Sequence, residues 1–174
     1  MNELKTKIVV PFSKTWIDYP DDESLAVVIY FLGCIHNCIG CHNPLFKLTD
    51  YKSAQEFTPK QLYDELFKFC DAHQTKKVIF SGGDSLNDAN VAFTKYFVNS
   101  YGNIFDICIY TGYTIEEVKY KNIKGFKYIK VGQYVEELKQ ESYKSDHCLQ
   151  LASSNQEIYN ANYNLVSRKG KMNF

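Results

Sequence analysis

A short segment near the beginning of the chain combines residue types that bind metals. It reads GCIHNCIGCHNP, and it contains three of the six cysteines of the protein, Cys34, Cys38 and Cys41. Three thiolates on one loop can bind a four-iron cluster and leave one iron without a protein ligand. They can also bind zinc, with His36 or His42 as the fourth ligand. The spacing of the cysteines by itself agrees with both kinds of site.

A second segment, SGGD, contains Gly82, Gly83 and Asp84 and follows an apolar run of residues. Glycines at such a position serve a tight turn that needs a positive φ angle, or they let a ligand approach the backbone closely. The carboxylate of Asp84 is a hydrogen-bond acceptor suited to an amino group. Taken alone, the segment agrees with either a turn or a ligand site.

The elements that position these segments alternate between strands and helices. Apolar, β-branched runs predict strands over residues 26–33, 77–84, 105–113, 126–134 and 147–154. Helices are predicted over residues 59–72, with Thr58 as N-cap, over residues 87–101 and over residues 135–141. A further short helix is predicted to begin at Thr114, because Thr114 and Glu117 have the spacing of a capping box.

This alternation, with strands that are apolar throughout, is typical of a parallel sheet covered by helices. A closed eight-unit barrel takes about 250 residues, whereas this chain has 174. We therefore expect an α/β fold, an open partial (β/α) barrel with a mostly parallel sheet, in a single domain over residues 1–174. Functional loops of such sheets follow the C-terminal ends of the strands. The cysteine loop, SGGD, YTGY and VGQY are thus expected at one rim.

The composition indicates which kinds of surface and which cellular location to expect. The formal net charge is zero and 45% of the residues are hydrophobic, which argues against a nucleic-acid-binding or membrane-binding surface. The N-terminal segment lacks the apolar core of a signal peptide, so a cytoplasmic location is expected. Thiols stay reduced there, and clustered cysteines then more often bind metal than form disulfides. The dispersed Cys70, Cys108 and Cys148 are predicted to be buried structural residues.

The cysteine spacing, followed on the next strand by a Gly-Gly-acidic turn, resembles the radical S-adenosylmethionine (SAM) superfamily. With Gly40 before the third cysteine, the segment CIGCHNP is similar to the activating proteins of anaerobic ribonucleotide reductases. The similarity continues through SGGDSLNDAN, IYTGY and SSNQ in the same order, over roughly residues 30–156. The chain departs from that family at Ser85, where proline is usual, and at Val131, where aspartate is usual.

The resemblance implies a [4Fe–4S] cluster bound by Cys34, Cys38 and Cys41, with SAM on the fourth iron next to Cys41. Reductive cleavage of SAM would then generate a glycyl radical on a large ribonucleotide reductase subunit. An electron donor such as flavodoxin or ferredoxin is implied as a second partner, and no nucleic acid or membrane is expected.

The resemblance also implies the residues that contact SAM. Gly82, Gly83 and Asp84 would contact the methionine amino end, and Gly40 and His42 would contact SAM beside the last cysteine. By contrast, His36 is predicted to be a surface loop residue.

Two sets of rim residues remain open. Thr111 and Tyr113 either touch the adenosyl part of SAM or serve as turn and cap residues. Residues 153–156 either close the rim or meet the partner protein.

Two alternative functions belong to other classes. The first is a radical SAM enzyme acting on a small molecule, similar to 7-carboxy-7-deazaguanine synthase, although the sequence shows no clear motif for a substrate pocket. The second is a non-enzymatic interaction module that binds zinc.

Overall fold

The computed structural model describes residues 3–20, 24–140, 151–168 and 171–172. The strands in this part of the chain are β1 (Thr6–Val9), β2 (Ser13–Thr15), β3 (Ala26–Phe31), β4 (Ala54–Phe57), β5 (Lys77–Gly82), β6 (Asp106–Tyr110), β7 (Tyr128–Val131), β8 (Glu157–Asn160), β9 (Leu165–Arg168) and β10 (Lys171–Met172). The α-helices are α1 (Pro59–Ala72), α2 (Val91–Tyr101) and α3 (Ile115–Lys121). Single 3₁₀ turns lie at Pro44–Lys47 and Glu136–Leu138.

The centre of the sheet is parallel. Strands β3, β5, β6 and β7 are neighbours in this order, and each adjacent pair is parallel. A helix lies between each pair along the chain, as parallel neighbours require. The predicted α/β class with a largely parallel central sheet is thus confirmed.

The two sides of the sheet are antiparallel, so the sheet as a whole is mixed. β1 and β4 extend it beyond β3, and β8, β9 and β10 extend it beyond β7, while β2 also pairs with β3. The expectation of a mostly parallel sheet therefore holds for its centre only. These flanking strands have two to four residues each, which is too short to produce a clear period-two pattern in the sequence.

The predicted starts of α1 and α3 are confirmed, and both are determined by local chemistry. The Thr58 side chain accepts a hydrogen bond from the Gln61 N–H, and the Gln61 side chain accepts one from the Thr58 N–H. Thr114 and Glu117 form the same reciprocal pair at α3. Each capping box satisfies N–H groups that a helix start leaves without partners.

The helices pack on one face of the sheet. The larger buried cluster combines alternate strand residues, such as Ile29 and Phe80, with Leu62 and Leu66 of α1 and Phe97 of α2. The other face has a smaller cluster made by strand residues and Tyr19. This packing leaves the loops after β3, β5, β6 and β7 together at one rim.

Each of the four parallel strands ends two or three residues earlier than predicted, and three other predicted elements differ more from the structure. The second helix begins at Val91 rather than residue 87, because Asn87 and Asn90 form a hydrogen-bonded turn before it. The helix predicted over residues 135–141 is one 3₁₀ turn, and residue 141 lies outside the described residues. The predicted strand over residues 147–154 is not seen in its described part, residues 151–154, and Cys148 lies outside the described residues.

Among the described helices, the longest has 14 residues, and none combines the length and apolar character needed to cross a bilayer.

Candidate functional site

The cysteine loop begins directly after β3, at Gly33. The Gly33 N–H donates to the carbonyls of Phe46 (2.8 Å) and Leu48 (3.0 Å), which closes the loop at its base. Gly33 has a φ angle of 89°, a conformation that glycine adopts at little cost. The loop between these points carries the three cysteines of the motif, and all three are free and half-buried.

The three sulfurs lie close enough for their charges to interact. Burial raises the pKa of the Cys34 thiol to about 11, and the charges of Asp84, Cys38 and Cys41 contribute to the rise. The His36 backbone N–H acts in the opposite direction and lowers the pKa of this thiol. A bound cation would reverse this electrostatic balance, because metal ions favour the thiolate form of a ligand.

This set of donors fits an iron–sulfur cluster. Within residues 3–20, 24–140, 151–168 and 171–172, no three His, Cys, Asp or Glu side chains are arranged as ligands of a single metal ion. A four-iron cluster requires thiolates that surround a larger object. Three free, half-buried thiols on one loop are a donor set of the kind that such a cluster takes from a protein.

The glycines of the SGGD segment let three backbone segments come together. A Cβ atom on Gly82 would lie 2.7 Å from the Phe31 carbonyl oxygen, and its φ angle is 99°. A Cβ atom on Gly83 would overlap the carbonyls of Gly33 and Phe46. Backbone hydrogen bonds from Gly83 to Phe31 and from Asp84 to Gly33, both 2.8 Å, join the ends of β3 and β5. Both glycines are therefore required by the packing of the protein itself.

Asp84 is fully buried, and its carboxylate joins the ends of β5 and β6. Its Oδ1 accepts from the Leu86 N–H at 2.8 Å and from the Thr111 hydroxyl at 3.0 Å. Its Oδ2 accepts from the same hydroxyl at 2.8 Å and from the Gly112 N–H at 3.0 Å. Of the two roles that the sequence left open for Thr111, the structure therefore supports the turn role.

The expectation that His36 is a surface residue is wrong. Its side chain is only 8% exposed, and its Nε2 lies 3.2 Å from Asp84 Oδ2. Its ring packs edge-on against Tyr113, with 4.8 Å between the ring centroids. The ring also lies directly over Gly112, where a Cβ atom would overlap it. Burial follows from contacts with the end of β6, which are distant in sequence.

Gly40 and His42 lie on the exposed side of the loop and contact a different element. The His42 ring is 5.8 Å from the Tyr134 ring. Gly40 faces Tyr134 and Glu136, whose side chains are joined by a 2.6 Å hydrogen bond. The segment after β7 therefore supports the part of the loop that contains Cys41.

A cavity of about 680 Å³ opens at this rim, within the size range of small-molecule sites. It is lined by the cysteine loop and by the segments that follow β6 and β7 and precede β8; its lining includes Ile35, His36, Asn37, Tyr113, Gln133 and Asn155. Three of the four loops predicted to converge therefore meet at this cavity. The fourth, SGGD, lies next to the cysteine loop through the contacts of Asp84 with Gly33 and His36.

Residues 153–156 close the rim. The Gln156 side chain donates to the Gly132 carbonyl at 3.1 Å, and the Asn155 side chain donates to the Gln133 carbonyl at 2.9 Å. The Val135 N–H donates to the Ser153 hydroxyl at 3.3 Å. Of the two roles left open for this segment, the structure supports closure of the rim.

Sequence reasoning missed Asn90, which connects three elements. Its side-chain amide donates to the carbonyls of Leu32 and Asp84, and its side-chain oxygen accepts from the Thr6 hydroxyl at 2.6 Å. It had been predicted as part of a helix. The signal available in the sequence was an asparagine in the polar segment SLNDAN between SGGD and a helix, because Asn side chains commonly hydrogen-bond backbone groups in turns.

Known proteins match most of the chain. The 4Fe-4S single cluster domain family matches residues 23–159. The anaerobic ribonucleoside-triphosphate reductase-activating protein of Enterobacteria phage T4 is 28% identical over 127 residues, which are 70% of this chain and 78% of that protein. These matches confirm the resemblance seen in the sequence.

Among solved structures, QueE from Escherichia coli matches with a TM-score of 0.43 at 17% identity. The match covers 62% of this chain and 53% of QueE, so this chain spans about half the length of that structure.

Proposed function

The chain belongs to the 4Fe-4S single cluster domain family, and we propose that it is a radical SAM activase that generates a glycyl radical on an anaerobic ribonucleotide reductase. The observation that carries the proposal is a loop of three free, half-buried cysteines packed against the Gly-Gly-Asp strand end. The activating protein of phage T4 supports the choice of target, since its name states that activity.

The cluster would be held by Cys34, Cys38 and Cys41. Together with SAM, and with an electron from an external donor, the cluster would supply reductive cleavage of the S–C5′ bond and, through it, hydrogen-atom abstraction from a glycine Cα of the partner. The chain itself binds and orients these groups. Gly33 closes the loop at its base, and the segment after β7 contacts the part of the loop that contains Cys41.

SAM would be bound between the cysteine loop and the end of β5. We assign the methionine amino end to Gly82, Gly83 and Asp84, and contacts beside Cys41 to Gly40 and His42. The buried charge of Asp84 favours an ammonium group nearby. Its carboxylate already accepts three different donors, so a direct bond to SAM would be added to a nearly filled set of acceptor sites.

The assignment of Asp84 has a direct test. Hydrogen bonds to charged groups are worth about 1.5–3 kcal/mol, so Asp84→Asn should weaken SAM binding roughly ten- to a hundredfold while the cluster is retained. Asp88→Asn is the matched control, because the Asp88 side chain is 96% exposed and lies 3.9 Å from Lys121. Calorimetric titration of the reconstituted proteins measures both. Unchanged affinity in Asp84→Asn would restrict Asp84 to a structural role.

We further propose that the sheet forms an open partial barrel and that residues 1–174 make one radical SAM domain. The strand order supports this, because it runs from β10 to β4 with two separate edges. An open side suits a substrate that is itself a loop of another protein. The partner would be the large glycyl-radical reductase subunit, the electron would come from a donor such as flavodoxin or ferredoxin, and the location would be the cytoplasm.

The experiment that tests the function uses a reductase partner deuterated at its glycine Cα. After anaerobic reduction with SAM, deuterium should appear in 5′-deoxyadenosine, and electron paramagnetic resonance should detect a radical on the partner. If deuterium never appears there while a small metabolite is consumed, a small-molecule enzyme replaces the proposal. Stoichiometric zinc without sulfide would instead identify a zinc-binding module.

A further inference from the structure

His36 has an unusual position for a residue between two cysteines. Ile35 and Asn37 on either side of it are exposed, whereas the His36 side chain points into the protein and is 8% exposed. Its Nε2 is buried and has no hydrogen-bond partner within the described part of the chain. A buried polar atom without a partner is costly, and such an atom calls for an explanation.

The nearest group to this nitrogen is the Asp84 carboxylate, at 3.2 Å from Nε2 to Oδ2. The other donors to that carboxylate come from Leu86, Thr111 and Gly112. Because the Thr111 hydroxyl contacts both oxygens, these three donors already make four hydrogen bonds to the carboxylate. The His36 Nε2 lies beside these bonds as a close polar contact of Oδ2, and His36 is the one residue of the cysteine loop among the four groups.

The backbone of the same residue reaches the first cysteine. Cys34, a predicted cluster ligand, is two positions before His36 in the loop, and the His36 backbone N–H lowers the pKa of the Cys34 thiol. One residue therefore lies next to a predicted cluster ligand along the chain and contacts the buried end of β5 through its side chain. Tyr113 and Gly112 limit the movement of the ring from the side of β6.

We propose that His36 is a positioning residue that holds Cys34 in place by joining the cysteine loop to the Asp84 carboxylate. His36 would hold Cys34 in place even when no cofactor is bound, so this role does not depend on which reaction the protein performs. The proposed function enters only through the assignment of Cys34 as a cluster ligand.

The test compares His36→Leu, which removes the N–H, with His36→Gln, whose amide N–H can replace it. His73→Leu is the matched control, because His73 lies at the end of α1 and packs against Phe69. The readout is the rate at which iodoacetamide alkylates Cys34 in the reduced protein without metal, followed by peptide mass spectrometry. No cluster, SAM or reductase is needed.

We expect His36→Leu to raise the alkylation rate of Cys34 at least about fivefold, the size of effect expected when one polar contact is lost. His36→Gln should restore the rate to within about twofold of the original, and His73→Leu should leave it unchanged. In a double-mutant cycle, Asp84→Asn should add little to the effect of His36→Leu. After reconstitution, His36→Leu should also bind less iron and sulfide than His36→Gln.

Equal alkylation rates in the original protein and in His36→Leu would overturn the proposal. So would an equal increase in His73→Leu, because the cause would then be a general loss of stability. Fully additive effects of His36→Leu and Asp84→Asn would show that the two side chains act separately. Failure of the deuterium experiment would leave all these results unaffected, so the two proposals can be judged independently.

Discussion

Substitution of Gly112 by alanine should displace the His36 ring. The φ angle of Gly112 lies outside the positive range, so alanine is compatible with the backbone. Its Cβ atom, however, would lie 2.7 Å from His36 Nε2 and 2.8 Å from its Cγ, distances at which atoms overlap. The ring cannot turn aside freely, because Tyr113 and Asp84 lie on its other sides.

The expected magnitude follows from two opposing effects. An extra methyl group in a well-packed site costs about 1–3 kcal/mol, and the loss of glycine from the unfolded chain returns about 0.4–1 kcal/mol. The net decrease in the free energy of unfolding is therefore about 1–2 kcal/mol. For a protein of this size, this lowers the melting temperature by about 2–8 °C.

The assay is denaturant unfolding of the reduced protein without metal, carried out in two backgrounds. In the original protein Gly112→Ala should be destabilising, whereas in a His36→Ala background the overlap is gone and the same change should be neutral or stabilising. Effects of distant residues usually add to within about 0.5 kcal/mol. If Gly112→Ala has the same effect in both backgrounds within that margin, the reasoning about the His36 ring is refuted.

Three further predictions concern other parts of the chain. Cys38→Ala should abolish iron and sulfide binding after anaerobic reconstitution, whereas Cys70→Ala should keep both and lose only about 1 kcal/mol of packing; iron loss in both would contradict the assignment. Burial lowers the pKa of Lys130 to about 8, whereas its ordinary value is 10.5. Between these two pH values the unfolded chain therefore keeps a proton on this lysine that the folded protein has lost. Relative to Lys130→Met, the free energy of unfolding should therefore rise from about pH 8 to 10.5, and parallel pH curves would contradict this. The buried Ser85 hydroxyl has no hydrogen-bond partner among the described residues, so Ser85→Ala should stabilise the protein by about 1 kcal/mol in denaturant unfolding, and a decrease would show that the hydroxyl is satisfied.

Features that depend on neighbouring residues could be predicted from the sequence. The start of α1 follows from Thr58 and Gln61, which are three residues apart and satisfy each other's backbone. The cysteine loop likewise follows from an apolar strand that ends at a glycine. The parallel centre of the sheet follows from the alternation of such strands with helices, because parallel neighbours need long connections.

The two loop histidines show where sequence reasoning reaches its limit. His36 and His42 lie six positions apart in one loop, yet the first is buried and the second is exposed. The difference comes from Gly112, which has no side chain and so leaves space for one ring against β6. The same holds for Asp84, whose hydrogen-bond donors include Thr111, 27 positions away. Spacing along the chain shows which residue types are close to each other in sequence. The contacts of Asp84 with Thr111 and of His36 with Gly112, by contrast, form only when β5 and β6 pair. They are therefore determined by the folded sheet alone.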